Sequence, residues 1–120
     1  MFTNGIVTLM VADLDRAIRF YTETLGLELT ERYGGHWAAV RAPGLTIGLH
    51  PGGAPAPRPA APGGPASPTI GLEVEDLGAA VATLTARGVR ITRRGDGAEA
   101  LAFFSDPDGH GLYLRGRGQR

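Results

Sequence analysis

The chain contains no cysteine, which removes disulfides, thiolate zinc sites and thiol nucleophiles from consideration. Lysine is missing as well. All twelve basic residues are arginine, which reads as a habit of lineage rather than a functional device. Twelve acids balance them, so the formal net charge is zero and no long-range field draws the chain to nucleic acid or to an anionic membrane. No apolar run approaches the roughly 20 residues that a membrane-spanning helix needs. The opening MFTNGIVTLMVADLD has no basic segment and meets acids within its first fifteen residues, so a secretory signal is not expected and a cytoplasmic location is. Serine occurs only at Ser67 and Ser105, and neither sits in a G-x-S-x-G setting, the context of a hydrolase nucleophile. Glycine motifs for phosphate or dinucleotide binding are absent too.

What remains is a chain of 120 residues, 42% apolar and 20% charged, the size and balance of one globular domain. Its main organisational signal is self-similarity. The run V-A-D-L-D-R-A-I-R-F-Y-T-E-T-L-G-L-E-L-T from Val11 matches V-E-D-L-G-A-A-V-A-T-L-T-A-R-G-V-R-I-T from Val74, with one residue deleted before Gly88. Each half ends alike, on A-P-G-L-T-I-G-L-H and D-P-D-G-H-G-L-Y-L. Between them, residues 51–68 hold seven of the nine prolines and a single charge. An exposed, partly polyproline-like linker is expected there. The layout is module 1 over 1–50, linker 51–68, module 2 over 69–115 and a tail over 116–120.

Local signals give β-α-β-β-β in each half. Residues 5–11 alternate and are β-branched, as a strand requires. Asp13 can accept from the first-turn amides of a helix, Leu14, Ala17, Ile18, Tyr21 and Leu25 form its apolar stripe, and Gly26 supplies a left-handed cap. Strands near 27–33, 36–41 and 45–50 follow, the last two joined by a turn centred on Pro43. In the second half the expected elements are a strand over 69–74, a helix over 77–87 capped by Asp76 and Gly88, and strands near 89–94, 100–105 and 111–115. The turn 106–109 closes the final hairpin.

The segments VADLDRAIRFYTETLGL and FFSDPDGHGLYL, one after a short strand and one near the end, resemble the opening and closing signatures of the vicinal-oxygen-chelate (VOC) proteins, the glyoxalase/bleomycin resistance/dioxygenase family. That resemblance covers nearly the whole chain. It implies an α+β fold of two βαβββ modules, forming a curved, barrel-like mixed sheet with the helices outside. It also implies a homodimer, the usual state of members of this size. Metal-using members carry four ligands, one on the first strand and one on the last strand of each half. Those positions fall here on Ile6, Thr69, Gly48 and Tyr113. Isoleucine and glycine offer no ligand, and Thr and neutral Tyr are poor ones, so no metal cofactor is expected at the usual positions.

Strand alternation sorts the remaining residues. Val7, Leu9, Val11, Ile47, Leu49, Ile70, Leu72, Val74, Leu112 and Leu114 are expected under the helices, and Trp37 with them. The inward, ligand-binding set is then Ile6, Thr8, Met10, Gly48, His50, Thr69, Gly71, Glu73, Tyr113 and Arg115, a lining that suits a small organic ligand or simply fills a narrow cup. With the turn centred on Pro43, His36 and His50 oppose each other on the inward face. They are then two wet strand-end residues, an acid/base or ligand contact, or a relocated divalent-metal site. Glu73 can contact a ligand or pair with Arg115. His110, after the DPDG turn, is expected to be exposed.

Two functions from different classes follow. The first is a metal-free binder of a small molecule, acting by sequestration as antibiotic-resistance members do. The second is an enzyme (lyase, isomerase or dioxygenase-like), using one divalent metal at His36 and His50, or metal-free acid/base chemistry by His50, Glu73 and Tyr113. A purely accessory module is a third. Nucleic acid and membrane are expected partners in none of these.

Overall fold

A computed structural model describes residues 1–52 and 68–117. Residues 53–67 of the expected linker and 118–120 of the tail lie outside the described residues, and Pro51, expected in the linker, is the last residue of a strand. The chain divides into two units, 1–57 and 58–120, and each carries one four-stranded sheet.

In the first unit, β1 (Ile6–Val11) leads into α1 (Leu14–Arg19), which continues as a π-turn over Phe20–Thr24; β2 (Glu28–Tyr33), β3 (Trp37–Ala42) and β4 (Leu45–Pro51) follow. The sheet order is β1-β4-β3-β2, parallel between β1 and β4 and antiparallel elsewhere. The second unit repeats the plan with β5 (Ile70–Val74), α2 (Leu77–Ala86), β6 (Thr92–Arg94), β7 (Leu101–Ser105) and β8 (Gly111–Gly116). Its order is β5-β8-β7-β6, again with one parallel pair, β5 with β8. The hydrogen-bonded sheets are thus two, of four strands each.

The helix starts follow from their caps. Asp13 Oδ1 accepts from Arg16 N at 3.0 Å and Asp76 Oδ1 from Ala79 N at 3.0 Å, each satisfying a first-turn amide. The helix ends differ by one residue, and the difference is physical. In α2, Arg87 N reaches the Thr83 carbonyl four residues back, whereas in the first unit Leu25 N reaches Phe20, five back. The residue missing from the second half is therefore the extra residue of a π-turn, a common way to house a one-residue insertion in a helix. Both chains then leave through glycine at positive φ, 78° at Gly26 and 88° at Gly88.

Expected and observed strands agree within a residue or two, except β6. Val89 N bonds back to the Leu84 carbonyl as part of the helix end, so the chain is not free to pair until Thr92.

Each core lies between sheet and helix. Val11, Val40, Ile47 and Leu49 are fully buried in the first unit, along with buried Ala17, Ile18 and Tyr21, and in the second Leu112 is fully buried and Leu114, Leu77 and Leu84 are buried. Full burial of an aliphatic side chain contributes about 1.5–3 kcal/mol. β3 carries buried alanines at 38 and 42 on its helix-facing side, which leaves room for α1 to approach. The Asp106 turn is tighter than its exposed loop position suggests. Asp106 is buried and its Oδ1 accepts from Asp108 N at 2.9 Å and His110 N at 2.8 Å. That closure leaves His110 half-buried rather than exposed.

Candidate functional site

One face of each sheet is covered by its helix and the other is not. The register decides which residues share the helix-free faces. In the first unit Thr8 pairs with Gly48 and Met10 with His50, so Ile6, Thr8, Met10, Gly48 and His50 lie on one face, opposite the buried Leu9, Val11, Ile47 and Leu49. In the second, Gly71 pairs with Tyr113 and Glu73 with Arg115, and Thr69 precedes them on the same side. Each of these expected inward residues is therefore on a helix-free face.

His36 is not. The β3–β4 hairpin pairs Ala42 with Leu45 and Arg41 with Thr46, so the turn is the two-residue Pro43-Gly44 and not one centred on Pro43. The reason is turn chemistry: Pro is preset for the first central position and glycine supplies the positive φ of the second, here 75° at Gly44. Continuing this register sets Trp37, not His36, across from His50. His36 stands outside β3, exposed in the turn that follows β2, with its amide bonded to the Tyr33 carbonyl at 3.0 Å. The expected opposition of the two histidines is thereby lost.

The same shift moves Trp37 from the helix side to the helix-free face. Its indole Nε1 donates to Glu31 Oε1 at 2.6 Å, and its ring lies over Gly48. A Cβ built on Gly48 would be 2.2 Å from Trp37 Cη2, so the glycine is what leaves room for the far edge of the indole. The second unit repeats the device. A Cβ on Gly71 would be 2.3 Å from Tyr113 Cζ, and the Tyr113 ring sits 5.8 Å from that of Phe103 at 41°. Ile6, Met10 and Tyr33 on the first face are 54%, 46% and 64% exposed. An indole with a fixed edge beside exposed apolar side chains can take a flat organic molecule.

The polar groups are few. His50 is exposed, and its Nδ1 lies 2.7 Å from the Pro51 carbonyl oxygen. A carbonyl only accepts, so Nδ1 carries the proton and Nε2 is left as an acceptor in the neutral ring. Glu73 is exposed and forms no ion pair with Arg115, its register partner; the Nε of Arg115 is buried without a hydrogen-bond partner among the described residues. Among the described residues no group of three or more His, Asp or Glu could hold a metal ion.

Known proteins share this fold. An uncharacterized protein of Mycolicibacterium smegmatis is 33% identical over 111 residues, covering 91% of this chain and 89% of its own. The structure of TnmS3, an antibiotic binding protein from Streptomyces sp. CB03234, is 28% identical, with a TM-score of 0.68 over 97% of this chain and 98% of that one. The fosfomycin resistance protein FosX of Listeria monocytogenes shares the fold at 19% identity, with a TM-score of 0.76 over 97% of this chain and 93% of its own. The family model that matches does so from residue 5 to residue 114, spanning both βαβββ repeats. The chain is a member of the Glyoxalase/Bleomycin resistance protein/Dioxygenase superfamily.

Proposed function

We propose that this protein binds a small, flat organic molecule on its helix-free sheet faces without a metal, in the manner of an antibiotic- or metabolite-sequestering member of the superfamily. The observation that carries the reading is Trp37 lying over Gly48. Position 48 is where metal-using relatives are expected to present a ligand. Here the indole occupies the space that any side chain at 48 would need. Ile6 offers no donor either, and Thr69 and Tyr113 offer weak ones. The residues present do not fit a divalent transition metal. Similarity to an antibiotic binding protein at 28% identity supports the same class of ligand.

The test is direct, because Trp37 is the single tryptophan of the chain. Titration with a panel of planar antibiotics and aromatic metabolites is expected to change its emission saturably, with the compound recovered unaltered. Elemental mass spectrometry is expected to find no stoichiometric metal. One equivalent of a transition metal per chain, retained through dialysis, sinks the proposal.

A second reading, metal-free acid/base catalysis, is favoured by His50, whose tautomer is set by the Pro51 carbonyl so that Nε2 can accept a proton. Turnover of a bound compound, lost in His50→Ala, would replace sequestration with that reading.

A further inference from the structure

The helix-free face of the second sheet carries a cationic side chain whose Nε has no hydrogen-bond partner among the described residues. This is Arg115, which projects from β8 with that Nε shielded from solvent. Its neighbours in register are Leu101 on β7 and Glu73 on β5. The Glu73 side chain is exposed, and among the described residues it forms no ion pair with Arg115. A buried donor left unmade is costly, the more so when it is charged, so such a group calls for an acceptor. The Nε and one Nη form an edge of the guanidinium fork, whose natural complement is the two oxygens of a carboxylate.

The surroundings define what that carboxylate is attached to. Two residues along β8, on the same face, stands Tyr113, in contact with Phe103 at 5.8 Å and lying over Gly71. Two residues of strand span about 6.6 Å, roughly the length of a two-ring aromatic acid. We propose that Arg115, with the Tyr113–Phe103 pair, forms an anion-recognition subsite for an aromatic carboxylate. This rests on the small-molecule reading above and narrows its ligand class. Glu73 opposes the anion across the strand pair, so it sets affinity downward rather than contributing to it.

The experiment is calorimetric titration of the full chain with 2-naphthoate and with 2-naphthamide, which differ in charge but little in shape. The acid is expected to bind at least tenfold more tightly. Arg115→Gln is expected to abolish that preference and Arg115→Lys to retain part of it. Arg117→Gln, which removes an exposed charge paired with Glu75, is expected to leave it intact, and Glu73→Gln to tighten the acid severalfold. Thermal unfolding checks that the Gln variant is folded; if it is not, the Lys variant decides. Equal binding of acid and amide, or an acid preference that survives in Arg115→Gln, overturns the subsite while leaving the small-molecule reading standing. Binding of neither overturns the subsite, and the tryptophan titration above then judges the broader reading by itself.

Discussion

Gly48 and Gly71 do the same job in the two repeats: each lacks the one carbon that would lift an aromatic ring off the sheet. At Gly48 the clash is severe, 2.2 Å to Trp37 Cη2 and 2.9 Å to Cζ3, and the indole is tethered at its other end by Glu31. Gly48→Ala is therefore expected to displace the ring rather than be absorbed by it. Overpacking of this kind costs about 1–3 kcal/mol. The expected result is a shift in tryptophan emission in the free protein, a lower urea midpoint, and at least a tenfold loss of affinity for any ligand that perturbs Trp37. An unchanged emission spectrum in Gly48→Ala would mean that the indole is not seated as described. Glu31→Gln is the milder companion, since it keeps an acceptor for Nε1 but removes the charge, and a smaller emission change is expected.

At the scale of the elements, the repeat supplies its own control. Asp13 and Asp76 cap their helices with equal 3.0 Å bonds, so alanine at either is expected to cost about 1 kcal/mol, measured as a fall in urea midpoint at constant slope. The π-turn offers a sharper test. Removing Thr24 makes the first helix the same length as the second, whose Arg87 N closes an ordinary four-residue bond. The shortened protein is expected to fold, with stability within about 1–2 kcal/mol of the parent; failure to fold would show that the π-turn holds Leu25 and Leu27 in register with the sheet. These features also mark what the sequence made legible. The caps, the closing glycines and the alternation of β1, β4, β5 and β8 are local signals, and the faces of those four strands follow from them without counting across a turn. The face of β3 does not: it depends on whether the Pro43-Gly44 turn has two central residues or three, and one residue of difference inverts every side chain. Trp37 takes the place across from His50 that alternation assigns to His36, and His36 falls outside the strand in the preceding turn. The signal was present in the Pro-Gly order itself, which favours the two-residue turn. The unpartnered Nε of Arg115, by contrast, is a matter of three-dimensional shielding, which no pattern in the chain encodes.

For the molecule as a whole, stability and ligand choice are coupled, because a compound that binds only the folded state adds RT ln(1 + [L]/Kd) to the unfolding free energy. At a hundredfold excess over Kd that is about 2.7 kcal/mol. For a chain of 120 residues, each kcal/mol moves the melting midpoint by roughly 3–6 °C. A true ligand is thus expected to raise the midpoint by about 8–16 °C, well beyond the resolution of a thermal-shift screen. On the metal-free reading proposed above, zinc, nickel, manganese and iron(II) find no donor side chain at Ile6 or Gly48, where the Trp37 ring fills the space of a Cβ. They are expected to leave the midpoint unmoved, or to lower it where they bind the unfolded chain's histidines. The core sets the scale against which both are read. Ile47 is fully buried under the first helix, and Ile47→Ala is expected to cost about 2–5 kcal/mol. A ligand that restores much of the lost midpoint in Ile47→Ala, while a saturating metal restores none of it, would tie binding to the folded sheet faces and separate sequestration from metal-dependent chemistry in a single set of melts.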